Sequence, residues 1–234
     1  MTQRAIIVWG GWDGHEPEKV GKIFESVLAA EGFEVTRTNS LEPFEDAEAL
    51  AEFDLIVPIW TMGSISNTAV ENVSNVVAGG TGIAGCHGGM CDSFRDSVTW
   101  QFITGGNWVS HPGGEDVTYT VNIVNSSSEL TSGIEDFEVT SEQYYLHVDP
   151  AVEVLASTRH PGYKWYHSSN RAVDVPAVWT KRWGHGRVYY NSLGHSASVM
   201  EMASPIELMR RGFLWAASGK QIAREQDLSA SDFQ

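Results

Sequence analysis

The stretch GIAGCHGGMCD, residues 82–92, decides the fold predicted for this chain. It begins with small and branched apolar residues, as a buried strand does, and runs directly into a turn rich in glycine. A helix can begin soon after the turn. This order is typical of a strand–elbow–helix, in which glycines on either side of a central residue let the backbone turn sharply and present that side chain over the sheet.

Two residues can occupy the centre of the elbow, and they predict different chemistry. Centring on His87 places a glycine on each side, whereas centring on Cys86 gives the looser pair Ala84 and Gly88. A thiol at this position favours covalent acyl transfer, and an imidazole favours proton transfer or metal binding. The local pattern leaves both interpretations open.

Strands and helices alternate through the first half of the chain. Residues 4–9, 33–38 and 55–59 predict strands, and residues 17–28 repeat apolar positions at helical spacing after a proline that suits a first helical turn. Residues 68–77 predict a further helix before the strand of the opening stretch. Because strand, helix and strand in this order connect by right-handed crossovers, we predict a parallel sheet.

The loops that follow these strands are predicted to meet. In an open α/β sheet, sites form beyond the carboxyl ends of the strands. Loops at residues 10–15, 60–65 and 86–92 should therefore converge. His15 and His87 are then expected to lie close together despite their separation in sequence.

The second half of the chain predicts antiparallel strands added to the parallel core. Residues 117–124 alternate in polarity, and residues 138–148 predict a strand that carries Glu142. Residues 177–180 and 187–191 form a hairpin-like pair around a glycine-containing turn.

The chain closes with a predicted helix and a tail. Ser204, Pro205 and Glu207 have the order of a capped helix start, in which the serine accepts from the amide of the glutamate. The sequence becomes polar after this helix. We therefore predict one domain over residues 1–219 and a polar, peripheral tail over residues 220–234.

Composition and charge exclude several classes of partner. A formal net charge of −15 opposes binding to nucleic acid or to anionic membrane surfaces, and no apolar run is long enough to span a bilayer. Cys86 and Cys91 are too close in sequence for a disulfide between them to link distant parts of the fold. This favours free thiols in a reducing cytoplasm. Of the nine tryptophans, a minority are expected to line a cleft, where flat apolar faces suit sugar rings.

Short motifs in a fixed order carry a resemblance along nearly the whole chain. They are GIAGCH at 82–87, GGNWVSHP at 105–112, EQY at 142–144, PAVWT at 176–180, GHGRVYY at 184–190, LGH at 193–195 and WAA at 215–217. Together they resemble the ThuA-like trehalose-utilisation family. The family has the class I glutamine amidotransferase-like fold, so the resemblance implies a flavodoxin-like three-layer α/β sandwich with a mostly parallel central sheet.

The resemblance also favours one centre of the elbow. In amidotransferase relatives the nucleophilic cysteine occupies the exposed position two residues after the first glycine, and His87 matches that position here. Cys86 falls where the family has an apolar residue, and strand alternation points it to the other side. We therefore expect His87 to be the exposed residue, which disfavours glutamine hydrolysis by a Cys–His–Glu triad.

Polar residues near the predicted strand ends are candidates for catalysis or binding. A carboxylate such as Glu142 is costly to bury in a strand unless it is paired or acts as acid, base or ligand. Tyr144 is expected to orient a substrate hydroxyl or fill core, and Asp92 to orient a histidine or cap a helix. The catalytic candidates are His87, Glu142, His195 and Tyr144, and the substrate-binding candidates are His15, Trp12, Trp60, His111 and Asp92.

The leading hypothesis is an enzyme of carbohydrate catabolism. The resemblance implies a disaccharide or glycoside, and we expect a 3-keto sugar, because a C3 ketone acidifies the C2 hydrogen for removal by a His or Glu base. Loss of the C1 substituent and rehydration would complete a net hydrolysis, whereas proton movement alone would give an isomerase. A divalent metal such as zinc would stabilise the enediolate, and the expected ligands are His15, His87, Glu142 and His195.

Other classes of function remain open at this stage. A non-catalytic sugar-binding or regulatory module would bind its ligand without turnover, and a cysteine-dependent amidase or amidotransferase would require an exposed Cys86. The expected partners are a small-molecule carbohydrate, a sugar dehydrogenase of the same pathway and a second copy of the chain.

Overall fold

The structure, a computed structural model, describes residues 2–233 and places a large sheet between two layers of helices. The strands are β1 (Arg4–Gly11), β2 (Glu34–Thr38), β3 (Leu55–Thr61), β4 (Gly82–Cys86), β5 (Gly106–Ser110), β6 (Val117–Ile123), β7 (Phe137–Ser141), β8 (Tyr145–Val148), β9 (Glu153–His160), β10 (Val173–Trp183) and β11 (Gly186–Asn191). The α-helices are α1 (Pro17–Ala30), α2 (Ala47–Ala51), α3 (Asn67–Ala78), α4 (Gly88–Cys91), α5 (Val98–Thr104), α6 (Ala197–Met200) and α7 (Ala203–Glu225).

The large sheet has a parallel half and an antiparallel half. Its strand order is β2-β1-β3-β4-β11-β10-β9-β6-β7. Neighbours from β2 to β11 pair in parallel, and neighbours from β11 to β7 pair antiparallel. β5 and β8 form a separate antiparallel pair. The predicted α/β fold with added antiparallel strands is confirmed, and the central sheet is more evenly mixed than the sequence indicated.

Alternate residues of β1 show how the sheet separates two apolar cores. Ile7 belongs to the core that contains Phe24 of α1 and Phe213 of α7, whereas Ile6 belongs to the core that contains Val73 of α3. Because successive side chains of a strand point to opposite faces, a continuous apolar strand needs cover on both. Full burial of such a side chain contributes about 1.5–3 kcal/mol, so both helical layers stabilise the sheet.

The predicted elbow is confirmed, and His87 is at its centre. His87 directly follows β4 and precedes α4, with φ 47° and ψ −138°, a conformation that non-glycine residues rarely adopt. The flanking glycine is required for space, because a Cβ on Gly89 would lie 2.7 Å from the Cα of Ile59. The expectation that His87 is exposed is wrong. Its side chain is buried because the ring of Tyr144 stacks on it and Glu142 covers its Nε2.

Cys86 points away from the elbow, as strand alternation predicts. Its side chain is buried in the core on the α1 and α7 face of the sheet, where a Cβ on Gly194 would lie 3.1 Å from its Sγ. Burial raises the pKa of the Cys86 thiol to about 12. A thiol that is both inaccessible and protonated is a poor nucleophile, which argues against the cysteine-dependent alternative.

The prediction of one strand over residues 138–148 is wrong. The segment divides into β7, which pairs with β6 up to Ser141, and β8, which pairs with β5 from Tyr145 onward. Between the two ladders, residues 142–144 are free of strand pairing. The change of pairing partner turns the chain, so Glu142 lies in an irregular connection rather than in a strand.

The predicted end of the last helix is also wrong. α7 continues past Gly219 to Glu225, and Ala223 is buried, so residues 220–225 belong to the helical layer rather than to a tail. A further turn of 3₁₀ helix covers residues 230–233. No side chain caps the start of α7; Glu207 instead accepts from Arg210 and Arg211. None of the helices in the described part of the chain is both long and apolar enough to cross a membrane.

Two helical glycines test how tightly α7 packs on the sheet. A Cβ on Gly212 of α7 would lie 2.3 Å from the ring of Tyr189, whereas the nearest atom to a Cβ on Gly21 of α1 is 3.5 Å away. We predict that Gly212→Ala lowers the free energy of unfolding by about 1–3 kcal/mol, the usual cost of overpacking. Gly21→Ala is the matched control and should be stabilising by up to about 1 kcal/mol, because alanine favours helix. Urea denaturation measures both, and equal effects would contradict the packing described.

The buried thiols make a second prediction. In the native protein at mildly alkaline pH, neither Cys86 nor Cys91 should react appreciably with iodoacetamide, because burial raises both thiol pKa values. Both should react after denaturation in urea, which serves as the control. Mass spectrometry counts the adducts, and rapid labelling of Cys86 in the native state would restore the thiol mechanism.

Candidate metal and active site

The predicted loops at residues 10–15, 60–65 and 86–92 converge, since Thr61 contacts His15 and Met62 pairs with Ser93, and the loop after β11 joins them. His15 ends a short turn after β1, His87 follows β4, and His195 follows β11. The rings of His15 and His87 have centroids 4.6 Å apart, and those of His15 and His195 lie 5.2 Å apart. The expectation that His15 and His87 lie close together is confirmed. The connection between β7 and β8 brings Glu142 to the same place.

One oxygen of Glu142 lies at the centre of the three histidines. Glu142 Oε2 is 3.1 Å from His87 Nε2, 3.4 Å from His195 Nδ1 and 3.6 Å from His15 Nε2. One candidate ligand atom from each of the four residues lies within 4.8 Å of the others, and all four side chains are buried. Nitrogen and carboxylate donors at this separation match the usual ligand set of a zinc-type divalent ion.

The outward-facing ring nitrogens are held by three further groups. His87 Nδ1 donates to the backbone carbonyl of Ser192 at 2.8 Å, and His195 Nε2 lies 3.0 Å from the carboxylate of Glu115. His15 Nδ1 is 2.9 Å from the hydroxyl of Thr61. The inner partner, Glu142, also only accepts, but the outer acceptors lie closer to both rings, so the single proton of a neutral His87 or His195 is placed on the outer nitrogen. In the neutral rings, the inner lone pairs of these histidines then face Glu142.

Two buried nitrogens around Glu142 lack hydrogen-bond partners among residues 2–233. They are Nδ1 of His195 and Nδ1 of His111, the latter 3.5 Å from Glu142 Oε1. Lone pairs directed at a carboxylate repel it unless a proton or a cation lies between them. Outer hydrogen bonds that fix the tautomer are also typical of histidines that bind metals. The donor set therefore fits a divalent cation held by His15, His87, Glu142 and His195.

The charge balance of the cluster supports the same conclusion. Burial lowers the pKa of His87 to about 4, which keeps its ring neutral at physiological pH. Burial alone would raise the pKa of Glu142, but the surrounding imidazoles of His15, His195 and His87 outweigh burial and hold that pKa well below its ordinary value. The adjacent carboxylate of Glu142 raises the pKa of His195. The site thus keeps a buried anion beside at least one neutral imidazole.

Aromatic residues form the walls of the site. Tyr144 stacks on His87 with ring centroids 3.9 Å apart, and the rings of Trp108 and His111 lie 5.6 Å apart beside it. Trp12 meets His15 edge-on at 4.7 Å and is 46% exposed, so one face of this indole remains available to a ligand. Three predicted candidates therefore adjoin the cluster, Trp12, His111 and Tyr144, and the substrate-binding candidate His15 belongs to the cluster itself.

Trp60 and Asp92 have other contacts. Trp60 packs against the loop backbone, since a Cβ on Gly10 would lie 2.7 Å from its ring. The buried carboxylate of Asp92 accepts from Arg95 Nε at 2.5 Å and Nη2 at 3.0 Å, and Ser97 rather than Asp92 caps α5. The Arg95 guanidinium in turn lies 4.5 Å from the Trp108 ring. These two candidates support the walls, and within residues 2–233 neither forms a hydrogen bond or ion pair with the four clustered side chains.

The sequence did not indicate the three outer partners of the histidines. Thr61 is the last residue of β3, and Ser192 directly follows β11. The rule that sites form at strand ends could therefore have identified both as candidate site residues. Glu115 lies in a short turn before β6 and carries no local signal. A further buried histidine, His160, lies at the end of β9 with its Nε2 3.2 Å from the carbonyl of Tyr144.

Comparison with known proteins shows that solved structures share this fold. Two solved structures that resemble this chain are ThuA-like proteins. The one from Bacteroides uniformis is 19% identical with a TM-score of 0.74, and the match covers 92% of this chain and 91% of that chain. The one from Parabacteroides merdae is 16% identical with a TM-score of 0.73, and the match covers 94% of this chain and 91% of that chain. A cytoplasmic protein from Salmonella typhimurium is 13% identical with a TM-score of 0.64, covering 94% and 99%. At these identities the likeness shows the fold alone. No curated protein sequence matches the chain significantly.

The sequence also matches a family described as ThuA, trehalose utilisation, over residues 4–216. That range includes the four clustered residues and their three outer partners, Thr61, Glu115 and Ser192. The order of the short motifs along the sequence resembles the same family. Because the match covers nearly the entire sequence, this chain belongs to the ThuA family.

Proposed function

We propose that the protein is a metal-assisted enzyme that acts on a 3-keto disaccharide or glycoside. The observation that carries the proposal is the convergence of three histidine nitrogens on one oxygen of a buried carboxylate, Glu142. Family membership contributes the carbohydrate-related role. The elbow and the strand order also support our assignment of the fold to the class I glutamine amidotransferase-like superfamily.

A divalent ion such as zinc, held by His15, His87, His195 and Glu142, would act as a Lewis acid toward the oxygens of the keto sugar. The protein's own contribution is orientation. The carbonyl of Ser192 and the carboxylate of Glu115 hold the outer protons of His87 and His195, so the inner nitrogens stay available. The stacked ring of Tyr144 shields His87 from water.

His111 is the residue we assign to proton transfer. It is the most exposed of the histidines around Glu142, with 35% of its side chain accessible, and its Nδ1 lies 3.5 Å from Glu142 Oε1. In the proposed reaction, a base removes the proton at C2 beside the C3 ketone, and the C–H electron pair forms a C1=C2 double bond as the C1–O bond breaks. The leaving alcohol takes up a proton. Addition of water across the double bond then completes a net hydrolysis without redox change.

The ketone must be formed before this reaction. Its substrate is therefore the product of an oxidation at C3, which we assign to a sugar dehydrogenase of the same pathway. If the reaction stops after proton transfer, the same residues would support isomerisation, and product analysis distinguishes the two.

The first test removes a cluster histidine. His87→Ala is expected to lower turnover of a 3-keto disaccharide by at least about 100-fold, because loss of a ligand would remove the metal's stabilisation of developing charge, which is worth several kcal/mol. His147→Ala is the matched control, because His147 lies exposed in β8 and should leave turnover unchanged. Circular dichroism and thermal melting check that both variants fold. Unchanged turnover in His87→Ala would refute the assignment.

The second test measures metal binding without activity. Titration of metal-free protein with Zn²⁺ should give one tight site per chain by calorimetry. Glu142→Gln keeps the shape of the side chain but removes its charge. Substitution of a residue that only supports a metal ligand typically weakens metal affinity by about 10–100-fold. Loss of the carboxylate ligand itself should weaken Zn²⁺ binding by more than that. His147→Ala again serves as the control. Equal Zn²⁺ affinity in wild type and Glu142→Gln would exclude this cluster as the metal site.

A further inference from the structure

An open cleft of about 560 Å³ lies beside the histidine cluster. His195 links the two, because its imidazole lines the cleft and its Nδ1 faces Glu142. The lining residues are Asp13, Gly14, Glu16, Glu115, Asp116, Thr140, Ser141, His195 and Ser196. A cleft of this volume next to the cluster is large enough for a sugar ring and provides a route to the site.

The cleft is strongly acidic. Two of its four carboxylates have cationic or titratable neighbours: Glu16 pairs with Lys19 at 2.5 Å, and Glu115 contacts His195 at 3.0 Å. The side chains of Asp13 and Asp116 have no hydrogen bond or ion pair to any residue between 2 and 233. Those two carboxylates are therefore free to accept hydrogen bonds from a ligand.

Two uncharged features of the cleft indicate a ligand independently of the acids. Ser141 is 2% exposed and lines the cleft, yet its Oγ has no hydrogen-bond partner in the described part of the chain. A buried hydroxyl without a partner is costly, and a ligand hydroxyl would satisfy it. The indole of Trp12 packs against Gly14 at the edge of the cleft and is 46% exposed. An exposed indole beside hydrogen-bonding groups is a common arrangement for binding a sugar face.

We propose that this cleft binds an uncharged, polyhydroxylated ring and rejects sugars that carry phosphate or carboxylate groups. Carboxylates only accept hydrogen bonds, so they suit the donor hydroxyls of a neutral sugar. An anionic ligand meets four carboxylates against Lys19 and the imidazole of His195, so repulsion dominates, and it is screened least at low ionic strength. The inference rests on the proposed function, because it identifies this ring as part of the keto sugar that reaches the cluster, and it restricts the substrate to neutral glycosides.

The test compares two matched probes, trehalose and trehalose 6-phosphate. Neither has a C3 ketone, so binding is measured by calorimetry without turnover. In metal-loaded wild-type protein at about 0.01 M salt, trehalose should bind at least about tenfold more tightly. The difference should shrink at about 1 M salt, where the Debye length falls to about 3 Å. It should also shrink in the double variant Asp13→Asn/Asp116→Asn.

A second double variant controls for net charge. Glu34→Gln/Glu48→Gln removes two exposed carboxylates, one at the start of β2 and one in α2, and should leave the preference for trehalose unchanged. Equal or tighter binding of the phosphate by wild type, or an equal effect of the two double variants, would overturn the charge selection. Failure of both sugars to bind would overturn the cleft as a sugar site. Selective binding of trehalose without turnover of a keto sugar would retain this inference and refute the proposed reaction.

Discussion

The buried carboxylate of Glu142 is the constraint on which the site depends. A carboxylate removed from water is unfavourable unless positive charge and hydrogen bonds surround it. Here the nearest groups are imidazoles, and in their neutral forms His87 and His195 present lone pairs rather than protons, because Ser192 and Glu115 hold the outer protons. The arrangement is electrostatically incomplete by itself. A divalent cation at its centre would satisfy the carboxylate and the imidazoles together.

The fold produces this arrangement by bringing strand ends together. β1, β4 and β11 are parallel strands of one sheet, and a histidine follows each of them. His15 can approach the elbow only because residue 88 is a glycine, since a Cβ on Gly88 would lie 2.7 Å from the ring of His15. The positive φ of His87 is then maintained by the packing around it. Strain at the elbow is balanced by the contacts that define the site.

Two thiols near the site have no place in its chemistry. Cys86 precedes the elbow residue but faces the core, and Cys91 is buried in α4. The centre of the elbow is held by His87 and not by either thiol. Function depends on the site rather than on the fold, so the proposed chemistry rests on His87 and the side chains around it. The acidic cleft then restricts which ligands reach it.

The sequence by itself determined the parallel core, the elbow and the convergence of His15 with His87, because strand periodicity and glycine spacing are local signals. It placed Glu142 in a strand and ended the last helix at Gly219, and both were wrong. Only the tertiary structure decided these points, since β7 and β8 separate by pairing with different strands and the end of α7 is held by packing. It also decided the partnership of Glu115 with His195, because residues 80 positions apart meet only through the folded chain.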